Sequence, residues 1–143
     1  SRLAFAALPR EAQVRLRPLV AVHDLSYSVA LQHPDLVASG RWRIRHPPAR
    51  RRLVRASERG ESLYVGKHCS HIEGMSLEEG RQLIRELNRH ITQERFVYTH
   101  RWSPGDLVIC DNRACLHRGR PWDDGGEAKR LLCLAKVSEG EDE

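Results

Sequence analysis

"WSPGDLVICDNRACLHRGRP", residues 102–121, contains a turn, an apolar run and a polar cluster that ends near a histidine. Pro104 and Gly105 occupy the positions that a type II turn favours. The run "DLVICD" (106–111) is apolar enough for a strand that is buried on both faces. His117 follows shortly after it. The segment is either an ordinary strand with a polar end or a strand that delivers His117 to a reaction site.

Other stretches predict strands that accompany this one. Residues 95–102, "RFVYTHRW", alternate with the two-residue period of a strand, and "KRLLCLAKV" (129–137) is a further apolar run. "ESLYVG" (61–66) predicts a shorter strand closed by a glycine. Closely spaced strands joined by turns favour a largely antiparallel sheet or a portion of a barrel. The predicted fold class is mainly β with flanking helices.

Helical signals occur near the start and in the middle of the chain. Residues 9–17 lie between two prolines and are predicted to form a helix. Ser76, with Glu79 three residues later, predicts a capping box at the start of an amphipathic helix. Prolines and a glycine between 33 and 57 predict a loop without regular structure. The stretch "HCSHIEG" (68–74) predicts a polar loop that leads into the capped helix.

Length and composition define the class of protein. The 143 residues have the length of one domain, and 40% hydrophobic with 30% charged residues is typical of a soluble globular protein. No apolar run approaches the ~18–20 residues that cross a bilayer. Because the chain lacks an initiator methionine and begins with helix-like sequence, we expect it to start inside a longer protein. Its four cysteines form no C-x-x-C pair, which predicts reduced thiols in a cytoplasmic protein without structural zinc.

Positive charge is concentrated in residues 41–60, which contain eight arginines and one glutamate. Three interpretations remain open: a solvated loop, an anion-attracting rim around a carboxylate site, and a surface for nucleic-acid phosphates. Only Trp42 offers an aromatic surface for base stacking, and no known nucleic-acid module surrounds it. We therefore expect neither a nucleic acid nor a membrane as the partner.

The spacing of His117 and Arg130 fits one kind of catalytic site. A mononuclear iron(II) site needs two imidazoles and one carboxylate on one face of the metal, with other positions open for a cosubstrate and oxygen. The far carboxylate of 2-oxoglutarate needs a cation, and arginine binds a carboxylate through two parallel hydrogen bonds. One histidine and one arginine at this spacing also occur by chance. The spacing alone therefore leaves a structural role for His117 open.

A long ordered motif gives the chain a family resemblance. The pieces "LYVG", "HIEGM", "FVYTHRWSPGDLVICDNRACLHRG" and "KRLL" follow one another, and "FAALPREAQVRLRPLVAVHDL" precedes them. In these pieces the chain resembles the C-terminal half of the taurine dioxygenase/2,4-dichlorophenoxyacetate dioxygenase family of iron(II)- and 2-oxoglutarate-dependent oxygenases. The most specific piece is W-x-x-G-D-L-V-x-x-D-N-R-x-x-x-H-R, and the resemblance is weakest across residues 30–52.

The resemblance implies a double-stranded β-helix, or jelly roll, that is incomplete in this chain. It implies that His117 is a ligand of Fe(II) and that Arg130 binds 2-oxoglutarate. Arg118 and Arg120 are available as an anion rim for the substrate, with simple solvation of both side chains as the alternative. The family reaction uses O2, decarboxylates 2-oxoglutarate to succinate, and hydroxylates a small, usually anionic organic substrate. The family's cofactors and cosubstrates are thus Fe(II), 2-oxoglutarate and O2.

Several residues depart from the family pattern. The first metal motif, His-x-Asp or His-x-Glu, is expected upstream of "FAALPREA". His71-Ile72-Glu73 has this form but matches a later family segment, so we predict a structural role for it. Leu134 stands where many members have a basic residue for an anionic substrate group, which puts taurine-like and aryloxyacetate substrates in doubt. Cys110 replaces a common aromatic residue, and His23-Asp24 and His68 are predicted to be structural or surface residues.

Three classes of function remain open, and the one ranked last is a basic protein that binds nucleic acid through residues 41–60. In the first, the chain is a fragment or truncated form of an active dioxygenase. In the second, it is a catalytically inactive half-domain that serves as an assembly module by pairing its sheet edges with another chain. In both, residues 1–137 are the C-terminal part of the dioxygenase domain, and 138–143 are an acidic tail predicted to be disordered. A homo-oligomer or a complementing N-terminal half is the expected protein partner.

Overall fold

A computed structural model of the chain describes residues 1–41, 46–121 and 131–137. In chain order, its helices are α1 (Arg2–Ala6), α2 (Arg10–Leu16), α3 (Leu25–Gln32), α4 (Pro34–Ala38) and α5 (Leu77–Ile91), and a 3-10 helix spans Glu94–Phe96. Its strands are β1 (Val20–His23), β2 (Ala49–Arg52), β3 (Val54–Ser57), β4 (Gly60–Leu63) and β5 (Cys69–Ile72). Within these described ranges, every helix falls short of the length and apolar character that a membrane crossing requires.

The strands form two antiparallel sheets. In the first, β1 lies between β2 and β5, with Ala21 opposite Arg51 on one side and Ile72 on the other. In the second, β3 and β4 form a hairpin in which Ser57 is opposite Gly60. The φ of Gly60 is 103°, a value that residues with a Cβ rarely adopt. The antiparallel pairing agrees with the predicted sheet type, although different residues form the strands.

The core lies between these sheets and the helices α1, α2 and α5. Its most buried members are Ala4, Phe5, Leu16, Ala21, Leu53, Leu63, Val65, Cys69 and Ile72. Burial of this apolar surface is the main contribution to folding. In the part of the chain that the structure describes, residues 97–121 and 131–137 contribute no buried side chain. The folded core therefore belongs to the first two thirds of the chain, and the His117 segment lies on its outside.

Two predicted helices are confirmed. The Glu79 N–H donates to Ser76 Oγ at 3.3 Å, and the Glu79 carboxylate accepts from the Ser76 N–H at 3.2 Å, which completes the capping box of α5. The buried face of α5, which includes Ile84 and Ile91, packs on β5 and α1. The helix predicted over 9–17 corresponds to α2. Both helix predictions succeed because the capping residues and prolines that start or end a helix act within a few positions of themselves.

The loops predicted before α5 are wrong in two places. Between 33 and 57 the chain forms α4, β2 and β3, and Pro34 occupies the first helical turn, where its missing N–H is not needed. "HCSHIEG" contains β5. Both β2 and β5 form because each pairs with β1, a tertiary contact that local composition does not reveal. The strand predicted at 61–66 is confirmed as β4, and residues 42–45 lie outside the described residues.

The three strands predicted after α5 are wrong for the residues that the structure describes. Residues 97–121 and 131–137 contain no strand, and 122–130 lie outside the description. Leu107 is 83% exposed and Ile109 is 86% exposed, so the apolar run is not buried on both faces. A strand requires a neighbour that satisfies its backbone N–H and C=O groups. Among the described residues, this apolar run has no such neighbour, so it does not form the strand that its sequence favours.

Candidate functional site

A hydrogen-bonded turn leads to His117. The Asp111 carbonyl accepts from the Ala114 N–H and the Cys115 N–H, both at 3.0 Å. The Asp111 carboxylate accepts from the Arg113 N–H at 2.9 Å and from Arg113 Nε at 3.1 Å. The hydrogen bond from the Arg113 side chain is the largest reason that the pKa of Asp111 is lowered. Asp111 and Arg113 therefore follow the apolar run because they close this turn.

The turn is attached to the folded core through its backbone. Ser62 on β4 is 2% exposed, and its hydroxyl donates to the Arg113 carbonyl at 2.5 Å. The Arg2 N–H and the Ser1 hydroxyl both donate to the Ala114 carbonyl at 3.1 Å. These contacts hold the chain shortly before His117 against α1 and β4. Sequence reasoning missed Ser62, since a serine in a short strand gives no signal that it binds a distant carbonyl.

His117 lies beyond this attachment with an exposed side chain. It is therefore not a core histidine. Arg118 and Arg120 are exposed as well, and the Arg120 guanidinium donates to Thr99 Oγ1 at 3.1 Å. Arg130 lies outside the described residues, so its placement beside His117 stays a prediction. The acidic tail predicted at 138–143 also lies outside the described part of the chain.

The donor set around His117 does not fit a complete iron site. In the described ranges there is no group of three histidine, cysteine, aspartate or glutamate residues that could hold a metal ion. An iron site of the facial type needs a second imidazole and a carboxylate beside the first. The described residues therefore provide one candidate ligand, and no chemical step at a metal can be derived from them alone.

The alternative His-x-Glu motif has a structural role, as predicted. His71 lies on β5, and its Nδ1 is 3.0 Å from Ser70 Oγ. The Glu73 carboxylate forms a bidentate ion pair with Arg50, with contacts of 2.5 and 2.7 Å. A carboxylate engaged by a guanidinium in this way connects the end of β5 to β2. The motif thus stabilises the first sheet.

His23 and His68 form a second cluster, and their predicted structural role agrees with their contacts. Asp24 caps α3 by accepting from the Ser26 N–H at 2.8 Å. His68 Nδ1 is 2.7 Å from Ser28 Oγ. The His23 ring packs against Tyr64 with centroids 4.8 Å apart. Burial, followed by the charges of His68 and an arginine on β2, lowers the pKa of His23. This imidazole is therefore held in its neutral form.

A third cluster, formed by His100, Ser103 and Asp106, fixes the turn at residues 103–106. The Asp106 N–H donates to the Ser103 carbonyl at 3.1 Å, and the φ of Gly105 is 88°, which confirms the predicted type II turn. His100 Nε2 is 2.9 Å from Asp106 Oδ2, which also accepts from the Ser103 N–H at 2.9 Å. The Ser103 N–H is the largest cause of the lowered pKa of Asp106, followed by His100. The pair shapes the turn rather than a metal site.

The arginine-rich region forms a shallow depression of about 440 Å³ on the outside of β2 and β3. It is lined by Arg17, Arg51, Arg52, Val54, Arg55, Ala56 and Glu61. Arg17 and Glu61 form a bidentate ion pair at 2.7 and 2.9 Å, which lowers the pKa of Glu61. The surface thus combines positive charge with an internal ion pair on a sheet, instead of the solvated loop that the sequence allowed. Its role towards anions stays a prediction.

Comparison with known families identifies one match over nearly the whole chain. The family model described as "Taurine catabolism dioxygenase TauD, TfdA family" matches residues 1–135. The chain is similar to an alpha-ketoglutarate-dependent 2,4-dichlorophenoxyacetate dioxygenase of Cupriavidus pinatubonensis, with 46% identity over 85% of this chain and 43% of the relative. It is also similar to a (S)-phenoxypropionate/alpha-ketoglutarate-dioxygenase of Sphingobium herbicidovorans, with 36% identity over 96% of this chain and 50% of the relative.

Solved structures give the same result for the fold. A crystal structure of AAD-2 in complex with Mn(II) and N-oxalylglycine has a TM-score of 0.69 and 39% identity to this chain, covering 79% of it and 45% of that chain. A putative alpha-ketoglutarate dependent 2,4-D dioxygenase from Burkholderia xenovorans has a TM-score of 0.67 and 34% identity. The predicted fold class, an incomplete jelly roll with flanking helices, is thereby confirmed. The chain spans about half the length of the curated relatives that it matches.

Proposed function

The chain belongs to the taurine catabolism dioxygenase TauD, TfdA family, and from this we propose that it is part of an Fe(II)- and 2-oxoglutarate-dependent dioxygenase. Its reaction would consume O2 and 2-oxoglutarate and hydroxylate a small, anionic organic substrate, with succinate as the second product. We place the protein in the cytoplasm because its four cysteines are free thiols, which persist under reducing conditions.

The proposal assigns four residues of this chain. His117 is the histidine ligand that approaches the metal from the end of the Asp111 turn. Arg130 binds the far carboxylate of 2-oxoglutarate through two hydrogen bonds. Arg118 and Arg120 form a positively charged rim that attracts the anionic substrate. Bound iron and 2-oxoglutarate supply the oxidising chemistry, while these residues hold and orient the reactants.

The observation that carries the proposal is the extent of the family match. It covers residues 1–135 and therefore includes the whole W-x-x-G-D-L-V-x-x-D-N-R-x-x-x-H-R motif. The Asp111 turn gives this motif a physical role, since its three hydrogen bonds to α1 and β4 hold the segment just before His117. In this proposal, the remaining imidazole and carboxylate ligands come from the part of the dioxygenase domain that the matched relatives have beyond the portion covered by this chain. Residues 1–137 are thus proposed to be the C-terminal part of the catalytic domain.

A second candidate function follows from the exposed apolar side chains outside the core. Leu107 and Ile109 are more than four fifths exposed, as are Leu131 and Val137. Apolar segments of this kind mark interaction surfaces or incomplete folds. The chain would then be an inactive half-domain that assembles with a second copy or with an N-terminal half of the same fold. This candidate differs from the first because it requires no metal.

Anaerobic titration separates the two candidates. The chain is mixed with Fe(II) and 2-oxoglutarate, with and without the N-terminal portion of the Cupriavidus pinatubonensis relative that lies outside the match. If the chain is part of an active dioxygenase, the sample that also contains the N-terminal portion should show the visible charge-transfer band of an iron–2-oxoglutarate chelate. His117→Ala should abolish the band, and His46→Ala, a change at another exposed histidine, should retain it. A band of equal strength in the His117 variant would refute the ligand assignment.

The proposed role of Arg130 in binding 2-oxoglutarate is tested in the same titration. Arg130→Ala removes one partner of the proposed charge pair, at a cost of about 2–5 kcal/mol, so half-saturation should need at least about 30-fold more 2-oxoglutarate. Arg15→Ala, at an exposed position on α2, is the matched control and should leave half-saturation unchanged. Equal affinity of the Arg130 variant would show that another cation binds the cosubstrate. Sedimentation of the chain alone, and of the chain mixed with the N-terminal portion, measures which of the two assemblies of the second candidate forms.

A further inference from the structure

The arginine-lined depression outside β2 and β3 is built on a fixed backbone. Leu53, between the two strands, is fully buried. Its N–H donates to the Leu19 carbonyl at 2.9 Å, and its carbonyl accepts from the Tyr64 N–H at 2.8 Å. These bonds join the segment before β1 to the residue that follows β4. The arginines on either side of Leu53 therefore start from a backbone that the core holds in place.

Contacts with the protein also position the arginine side chains. Arg52 Nη1 donates to the Pro18 carbonyl at 2.8 Å. The guanidinium carbon of half-buried Arg55 lies 4.8 Å from the centroid of the Tyr64 ring, which is within the range of a cation–π contact. An arginine has five N–H donors, so a contact with one carbonyl or one ring leaves most of them available. The side chains are thus oriented without being saturated.

Carboxylates neutralise only part of the positive charge in the depression. Arg17 pairs with Glu61, and the hydrogen bond from Arg17 lowers the pKa of Glu61, so this carboxylate is ionised near neutral pH. In the described part of the chain, no carboxylate pairs with Arg51, Arg52 or Arg55. Four arginines and one glutamate line the depression, which gives it a net charge of +3.

We propose that this depression binds a diphosphate group, either as free pyrophosphate or as the diphosphate of a nucleotide. One phosphate group carries about 1.5–2 negative charges near neutral pH, so two linked groups match the three unpaired guanidinium charges. Arginine binds phosphate oxygens through two parallel N–H donors, and a diphosphate has enough oxygens for several such contacts. The volume of about 440 Å³ lies within the range of small-ligand sites. The proposal does not depend on iron binding or on dioxygenase activity.

The lining favours a diphosphate over two other kinds of anion. Its remaining members, Val54 and Ala56, provide no flat surface for a base, and Arg55 already packs on the ring of Tyr64. A single-stranded nucleic acid obtains much of its affinity from bases that stack on aromatic side chains, which this surface does not provide. A dicarboxylate such as 2-oxoglutarate carries two charges and leaves one guanidinium without a partner. Both should therefore bind more weakly than a diphosphate.

Isothermal titration calorimetry of the full chain tests this order of affinity. The probes are pyrophosphate, ADP, inorganic phosphate, 2-oxoglutarate and a single-stranded DNA oligonucleotide, at physiological ionic strength and without divalent cations. Pyrophosphate should saturate one site and bind more tightly than phosphate, 2-oxoglutarate or the oligonucleotide. Tighter binding of ADP than of pyrophosphate would identify a nucleotide as the source of the diphosphate, and equal or weaker binding would identify free pyrophosphate. Absence of saturable pyrophosphate binding, or equal or tighter binding of phosphate, 2-oxoglutarate or DNA, would overturn the proposal.

Charge-removing variants locate the site. Arg51→Gln, Arg52→Gln and Arg55→Gln should each weaken pyrophosphate binding about tenfold, since each removes a charged hydrogen-bond donor. Arg50→Gln is the matched control, because Arg50 lies on the same strand but pairs with Glu73 and does not line the depression. This variant should bind as the wild type does. Equal weakening by all four changes would show that only the net charge of the protein matters, and the proposal would fail.

Two further measurements do not depend on a loss of binding in a variant. Glu61→Gln removes the negative charge and releases Arg17 for the ligand, so pyrophosphate should bind about threefold more tightly, an effect that partial unfolding cannot produce. In the wild-type protein, pyrophosphate should protect the three unpaired arginines from modification by phenylglyoxal, as mapped by mass spectrometry, and should leave Arg50 unprotected. Weaker binding by the Glu61 variant, or equal protection of Arg50, would place the ligand elsewhere.

Discussion

Ser62→Ala should loosen the turn that carries His117. The Ser62 hydroxyl donates to the Arg113 carbonyl at 2.5 Å from a side chain that is 2% exposed. A hydrogen bond of this kind contributes a net of about 0.5–1.5 kcal/mol. Through RT of about 0.59 kcal/mol, the open population should rise about 2- to 13-fold.

Limited proteolysis measures this opening at one bond. Trypsin cleaves between Arg113 and Ala114, which lie within the attached turn. At low trypsin concentration, where the segment opens and closes faster than it is cut, the cleavage rate follows the open population. The initial rate at this bond, followed by mass spectrometry, should therefore rise about 2- to 13-fold in the Ser62 variant. Cleavage within α5 should not change, since the core remains folded.

Ser57→Ala is the matched control for this measurement. The Ser57 hydroxyl donates to the Gly60 carbonyl at 3.0 Å in the same hairpin but does not contact the turn. Cleavage after Arg113 should therefore proceed at the wild-type rate in this variant. The reasoning is refuted if both serine variants accelerate cleavage equally, or if the Ser62 variant is cut at the wild-type rate.

Three further outcomes follow from the contacts of the core. Ser76→Ala removes the capping box of α5 and should lower the free energy of unfolding by about 1 kcal/mol in urea titration. Ile72→Ala empties a fully buried position and should cost about 2–5 kcal/mol, whereas Ile109→Ala, at a position 86% exposed, should change stability by less than about 0.5 kcal/mol. Comparable losses would show that the 106–111 run packs in the folded protein. The folded-state pKa of His23 lies below its ordinary value of 6.5, so the unfolded chain binds more protons and stability should fall as the pH decreases through about 6.5. His23→Gln should reduce this loss without removing it, because the pKa of His68 is lowered in the same direction; an unchanged pH profile would exclude a contribution from His23.

The amino-acid sequence by itself determined the features that act over a few residues. The capping box of Ser76 and Glu79 requires only two side chains one helical turn apart, and the turn at 103–106 requires only proline and glycine in the right order. The ordered motif that includes His117 also identified the family, which the match over residues 1–135 confirms. These signals are local, so no knowledge of the rest of the fold is needed to interpret them.

Only the tertiary structure decided which segments become strands. The arginine-rich β2 has little apolar character, yet it is a strand because its backbone pairs with β1. The 106–111 run has a strong strand preference, yet among the described residues it lacks a neighbour and remains irregular and exposed. Strand formation depends on hydrogen bonds to a second segment, which is often distant in sequence. For the same reason, the attachment of the His117 turn through Ser62 could be found only from the folded arrangement, in which residues far apart in the chain come into contact.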